Sequence, residues 1–97
     1  MIGVKEIKDI VSVTAEKYGA ERVLLFGSYA RGETTLKSDI DLRIDKGKIR
    51  GLLQLSGFRI ALEDRLQIPV DILTTESLDQ DFLNRIRGEE ILLYECK

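Results

Sequence analysis

The run Asp39-Ile40-Asp41-Leu42-Arg43-Ile44-Asp45 constrains the fold more than any other stretch of the chain. Ile40, Leu42 and Ile44 fall on every second position, and Asp39, Asp41, Arg43 and Asp45 fill the places between. Successive side chains of a strand point to opposite faces, so this pattern predicts a strand with one face on a core and the other polar. Gly47 breaks the run. Side chains at i and i+2 of a strand lie on one face, roughly 7 Å apart. The carboxylates of Asp39 and Asp41 can therefore converge on a shared cation. Left alone they repel, and one tends to take up a proton.

The rest of the chain reads as elements that frame this strand. Val4, Ile7, Val11, Thr14 or Ala15, and Tyr18 have helical spacing, and Gly19 suits a helix stop. Residues 22–26 read as a short buried strand, Ser28 to Arg31 as one helical turn, and Glu33 to Lys37 as loop. Leu52, Leu55, Phe58, Leu62 and Leu66 predict a helix over 51–66, although Gly57 inside it costs up to about 1 kcal/mol relative to alanine. Pro69 opens a third strand, with Val70 and Ile72 on one face and Asp71 on the other. Ser77 with Gln80 resembles a capping box for a last helix that uses Leu78, Phe82 and Ile86. Gly88 ends that helix, and Glu90 to Glu95 predict a final short strand. The expected fold is α/β (α+β): a small mixed sheet with helices on one face and the aspartates on the other.

Composition removes several chemistries. The 97 residues suit one domain spanning 1–97. One cysteine, Cys96, and no histidine exclude a disulfide within the chain, a Cys/His zinc site and a histidine-dependent nucleophile. Any catalysis uses carboxylates, hydroxyls, cationic side chains or a metal held by oxygen. The net charge of −2 argues against broad binding to nucleic acid, which needs a basic face. The basic cluster Lys46, Lys48 and Arg50 reads as a solvated turn. No apolar run is long enough to cross a bilayer, no signal-peptide pattern opens the chain, and a cytoplasmic location is the expectation.

The remaining motif residues fit a phosphate and a metal. Gly27 after a strand permits a tight turn and close approach of backbone to ligand. The Ser28 hydroxyl and the N–H groups that start a helical turn suit a phosphate, and Arg31 can reach the same oxygens. Asp71 has the outward parity of Asp39 and Asp41. If its strand lies beside theirs, three carboxylates surround one small volume, the minimum apparatus for two-metal phosphoryl or nucleotidyl transfer. Mg²⁺ prefers a few carboxylates with waters and substrate phosphates. Asp71 is the best general-base candidate, because it can reach the acceptor side. Singly these signals are common; Gly-Ser, ten residues and then Asp-x-Asp together arise by chance in roughly one chain in a thousand of this length.

With Gly27-Ser28, the ten residues Tyr29 to Ser38, and Asp39-Ile40-Asp41, the chain resembles the DNA polymerase β-like nucleotidyltransferases. "LLFGSYARGETTLKSDIDLRI" with "IPVDIL" downstream is similar to their minimal nucleotidyltransferase (MNT) subfamily, over essentially the whole chain. The resemblance implies a polymerase β-like palm fold and Mg²⁺-dependent transfer of AMP from ATP onto a hydroxyl, with two metal ions. It implies that Gly27 and Ser28 hold the triphosphate and that Asp39, Asp41 and Asp71 form the metal-binding and catalytic triad. It further implies a partner, a helical HEPN-type toxin that the MNT protein neutralises by binding it, by attaching AMP to a tyrosine, or both. Two other readings stay open: a binding-only antitoxin with little catalysis, and a small-molecule, antibiotic-type nucleotidyltransferase, whose acceptor pocket a homodimer could supply. Arg43 and Asp45 are expected beside the site on its polar face.

Overall fold

Gly19, in the left-handed conformation, closes the first helix by donating its N–H to the carbonyls of Ala15 and Glu16. This is the stop expected there. The computed structural model describes residues 2–96. Its elements are α1 (Val4–Tyr18), β1 (Arg22–Phe26), α2 (Ser28–Arg31), β2 (Ile40–Asp45), α3 (Gly51–Leu66), β3 (Val70–Thr74), a 3₁₀ turn (Thr75–Ser77), α4 (Gln80–Ile86) and β4 (Ile91–Glu95).

The strands form one mixed sheet in the order β3-β2-β1-β4. β1 pairs antiparallel with β2 and β4, and β2 pairs parallel with β3. The parallel pair requires a crossover, which α3 supplies. The alternation in β2 sorts as expected: Ile40, Leu42 and Ile44 are fully buried. They meet Val23 and Leu25 of β1 and Ile7, Val11, Ala15, Phe58 and Leu62 of the two long helices in one apolar cluster. The expected helical cover on one face is made by α1 and α3. The short α4 adds something more, because its Phe82 ring meets Phe26 edge-on at 5.9 Å. Phe26 pairs with Asp41, so it belongs to the aspartate face, which α4 partly shields.

Two local expectations need correction. Leu52 fits the helical spacing of α3 but is 81% exposed, as its neighbour Leu53 is at 88%. The first turn of α3 runs past the edge of the core, and burial starts with Leu55 and Phe58. The capping box at Ser77 and Gln80 does not form. Ser77 lies in the 3₁₀ turn and donates its hydroxyl to the Thr74 carbonyl. Asp79 caps α4 instead, accepting from the Phe82 N–H at 2.8 Å. An aspartate nearer the helix meets the same need for an acceptor at the first turn.

Candidate active site

The site forms where β1 ends and β2 and β3 begin. In register, Asp41 faces Phe26 of β1 on one side and Asp71 of β3 on the other. Directly opposed residues of neighbouring strands project from the same face, so the adjacency on which the aspartate argument depended is present. Asp39 precedes the first residue of β2 and is exposed, as is Asp71; Asp41 is half-buried. Among the described residues, no cation forms a salt bridge with any of the three.

Burial raises the Asp41 carboxyl above its ordinary range, and the nearby charges of Asp71 and Asp39 push it further the same way, with Arg31 opposing them. Asp41 therefore feels both neighbouring carboxylates as like charges. Among the described residues, no three or more His, Cys, Asp or Glu side chains are placed so that together they could hold a metal ion. Mg²⁺ does not need an all-protein cage, since it keeps waters and phosphate oxygens among its ligands. Asp41, with Asp71 beside it in register, offers oxygen donors of the type a hard divalent ion takes, with waters and phosphate oxygens left to complete its shell.

Gly27 closes the other side. Its backbone, at φ 78° and ψ −156°, lies in a region essentially restricted to glycine. A Cβ there would sit 2.2 Å from Asp41 Oδ2. Ser28 then opens α2, and the Gly27 carbonyl accepts from the Arg31 N–H at 3.1 Å. Arg31 thus comes back over the turn, one helical turn after Gly27. Its Nε donates to Glu33 Oε1 at 2.9 Å, and its Nη1 to the two oxygens of Glu89 at 3.1 and 3.2 Å.

Arg43, expected beside the site, is committed elsewhere. It donates from Nε and Nη2 to the two Glu90 oxygens at 2.6 and 2.9 Å, and from Nη1 to Thr75 Oγ1 at 2.8 Å. Both side chains of the ion pair are nearly enclosed, at 9% and 8% exposure. Asp45 pairs with Arg22 at 2.8 Å. Burial opposes its ionisation, but hydrogen bonds from Thr75 and Arg22 prevail and hold it below the usual carboxylate range. The polar face of β2 is thus divided. Its first half carries the open aspartates and its second half a closed ion-pair network.

Two hollows flank the sheet. A cavity of about 260 Å³ opens beside Asp39, lined by Tyr29, Leu36, Ile68 and Pro69 among others. A larger one, of about 560 Å³, lies at the opposite end of β2, between Glu21, Asp45, Lys46, Arg50 and Glu76. It contains none of the expected site residues, and its Lys46 is paired with Glu76, which suits the reading of that basic cluster as a solvated turn.

Sequence reasoning missed Glu89 and Glu90. The Gly-Glu-Glu run before β4 carries a signal only once β4 is known to lie against β1. Leu25 then pairs with Ile91, which brings Glu90 and Glu89 alongside Phe26 and Gly27.

Comparison with known proteins finds relatives over nearly the whole chain. Residues 7–97 match the family model described as polymerase beta, nucleotidyltransferase. A Methanocaldococcus jannaschii protein provisionally named a protein adenylyltransferase is 36% identical over 91 residues, covering 90% of this chain and 93% of that protein. The protein adenylyltransferase MntA of Thermococcus cleftensis is 30% identical over 95 residues, 94% of this chain and 96% of that one. A solved structure provisionally described as a minimal nucleotidyltransferase superposes with a TM-score of 0.79 at 33% identity, over 91% of this chain and 90% of that one. The fold also recurs, at a TM-score of 0.72 and 15% identity, over 95% of this chain and 72% of the other, in a complex of a tri-AMPylated Shewanella oneidensis HEPN toxin with its MNT antitoxin.

Proposed function

Because the chain belongs to the polymerase β nucleotidyltransferase family, we propose that it transfers AMP from ATP to a hydroxyl of a partner protein, a tyrosine of a HEPN-type toxin, and so acts as the antitoxin. The name of the Thermococcus relative supports a protein acceptor, and the AMPylated HEPN toxin in the Shewanella complex supports the partner class. The observation that carries the reading is the pairing of Asp41 with Asp71 on adjacent strands, with the Asp41 carboxylate against the Gly27 backbone.

In this reading Gly27, Ser28 and Arg31 bind the triphosphate of ATP and hold its α-phosphorus over Asp41. Asp71, exposed at the edge of the sheet, faces the acceptor and takes its proton. The acceptor oxygen forms a bond to the α-phosphorus as the bond to the bridging oxygen breaks, and pyrophosphate leaves. Mg²⁺ held by Asp39, Asp41 and Asp71 would neutralise the phosphates and acidify the acceptor hydroxyl.

The test is mass spectrometry of a HEPN-type partner co-expressed with this chain. The expected result is an added adenylyl group on a partner tyrosine, absent when Asp39 and Asp41 are both changed to asparagine. An unmodified partner that is still neutralised by the double variant would reject the transferase reading in favour of binding alone.

A further inference from the structure

The Gly27 N–H is already taken: it donates to Glu89 Oε2 at 2.5 Å. Arg31 Nη1 donates to both oxygens of the same carboxylate. These are two of the donors that the proposed reading assigns to the phosphates of a nucleotide. A carboxylate and a phosphate offer such donors the same thing, anionic oxygens with free lone pairs. We propose that Glu89 is a built-in competitor of the nucleotide: its carboxylate fills the phosphate cradle of the free protein and must be displaced when a triphosphate binds. This inference rests on the nucleotidyltransfer reading and identifies what that site holds before substrate arrives.

The fold holds Glu89 in place while leaving its side chain able to move. The Glu89 and Glu90 N–H groups both bond to the Ile86 carbonyl, at 3.0 and 3.1 Å. Glu90 is further pinned by its two bonds to the enclosed Arg43. The backbone at 89 is therefore tied at its own N–H and at its neighbour. The Glu89 side chain is less enclosed, at 22% exposure against 8% for Glu90, and its Arg31 partner is 44% exposed. Rotation about its own side-chain bonds frees it without disturbing Glu90. Glu89 also adds a third negative charge near Asp41, after Asp71 and Asp39, so the free site is crowded with carboxylates, and Arg31 is the nearby cation that opposes them. An incoming anion must replace charge-assisted hydrogen bonds that the protein already makes. A single phosphate gains little by doing so, whereas a triphosphate brings further oxygens. The arrangement favours triphosphates over orthophosphate and monophosphates.

Calorimetric titration of the wild type, Glu89→Ala and Glu89→Gln with sodium tripolyphosphate and with AMP-PNP at low salt tests this. A charge-assisted hydrogen bond removed from the competing side corresponds to ~10-fold tighter tripolyphosphate binding by Glu89→Ala. Glu89→Gln, which keeps an acceptor but loses the charge, falls between. Thermal melting checks the fold, and if the alanine variant does not fold, the glutamine variant carries the comparison. Unchanged or weaker binding in the folded variants overturns the proposal, because Glu89 would then only order Arg31. Failure of every variant to bind tripolyphosphate overturns it as well. Tighter anion binding without AMP transfer to any partner would leave the competitor standing and remove the transferase reading. AMP transfer with an anion affinity indifferent to Glu89 would do the reverse.

Discussion

Replacing Gly27 by alanine perturbs the backbone and the Asp41 carboxylate together. The backbone term comes from φ 78° and ψ −156°, where a residue with a Cβ is strained by about 1–3 kcal/mol. The second term is steric. The new carbon would lie 2.2 Å from Asp41 Oδ2, so the carboxylate has to retreat by more than about 1 Å to reach ordinary contact. In a protein of this size each kcal/mol lowers the melting temperature by about 4–8 °C, so Gly27→Ala should melt at least ~5 °C below wild type. A displacement of about 1 Å at a reacting group costs on the order of 100-fold in rate, which the AMP-transfer assay reads. Introducing Asp41→Gly beside Gly27→Ala separates the two terms, because it removes the clash and keeps the backbone strain. The cycle should show a coupling of about 1 kcal/mol or more. A Gly27→Ala protein that melts with the wild type and transfers AMP at its rate would refute the argument that Asp41 is seated directly against this turn.

Three further outcomes follow from the same geometry. Asp41→Asn should abolish AMP transfer yet stabilise the fold by about 1 kcal/mol near pH 7, as changes that relieve an active-site strain commonly do. The folded Asp41 carboxyl is raised above its unfolded value, first by burial and then by Asp71 and Asp39; the folded state binds this proton more tightly, so wild-type stability falls as pH rises from the unfolded pKa through the folded one. The gain in melting temperature of Asp41→Asn should accordingly grow over that window and shrink below it; a gain independent of pH would contradict the assignment. Arg43→Ala should cost about 3–5 kcal/mol in chemical denaturation, because it strands the enclosed Glu90 charge, whereas Arg43→Met with Glu90→Leu should lose far less; equal losses would show that the pair is not desolvated. Phe58→Ala, at a fully buried position between α3 and α1, should cost about 3–5 kcal/mol, while Leu52→Ala at an exposed one should stay within about 0.5 kcal/mol.

Much of the site could be read before the fold was known because its motif is local. Gly27 and Ser28 follow a strand directly, and Asp39 and Asp41 are two residues apart, so strand geometry alone sets their relation. The strand alternation in β2 was legible for the same reason: burial of Ile40, Leu42 and Ile44 on one face forces Asp41 and Arg43 onto the other. Arg43 shows where such reasoning stops. Its face could be predicted, but its partner could not, because Glu90 lies far along the chain and reaches it only through the placing of β4 against β1. Leu52 and Ser77 mark the same boundary on a smaller scale. The helical period cannot say where α3 overhangs the core, and a capping pattern cannot say which of two acceptors, Ser77 or Asp79, stands at the first turn.

The sequence by itself determined the elements, the polar face of β2 and the turn at Gly27, because each depends on periodicity or on the conformational range of a single residue. Only the tertiary structure decided that Asp71 stands beside Asp41 and that the Glu89 carboxylate lies against Gly27 and Arg31. Those neighbours are set by the strand order β3-β2-β1-β4, which follows from how α1 and α3 bury their apolar faces together against one side of the sheet, a global requirement that no short stretch of residues encodes.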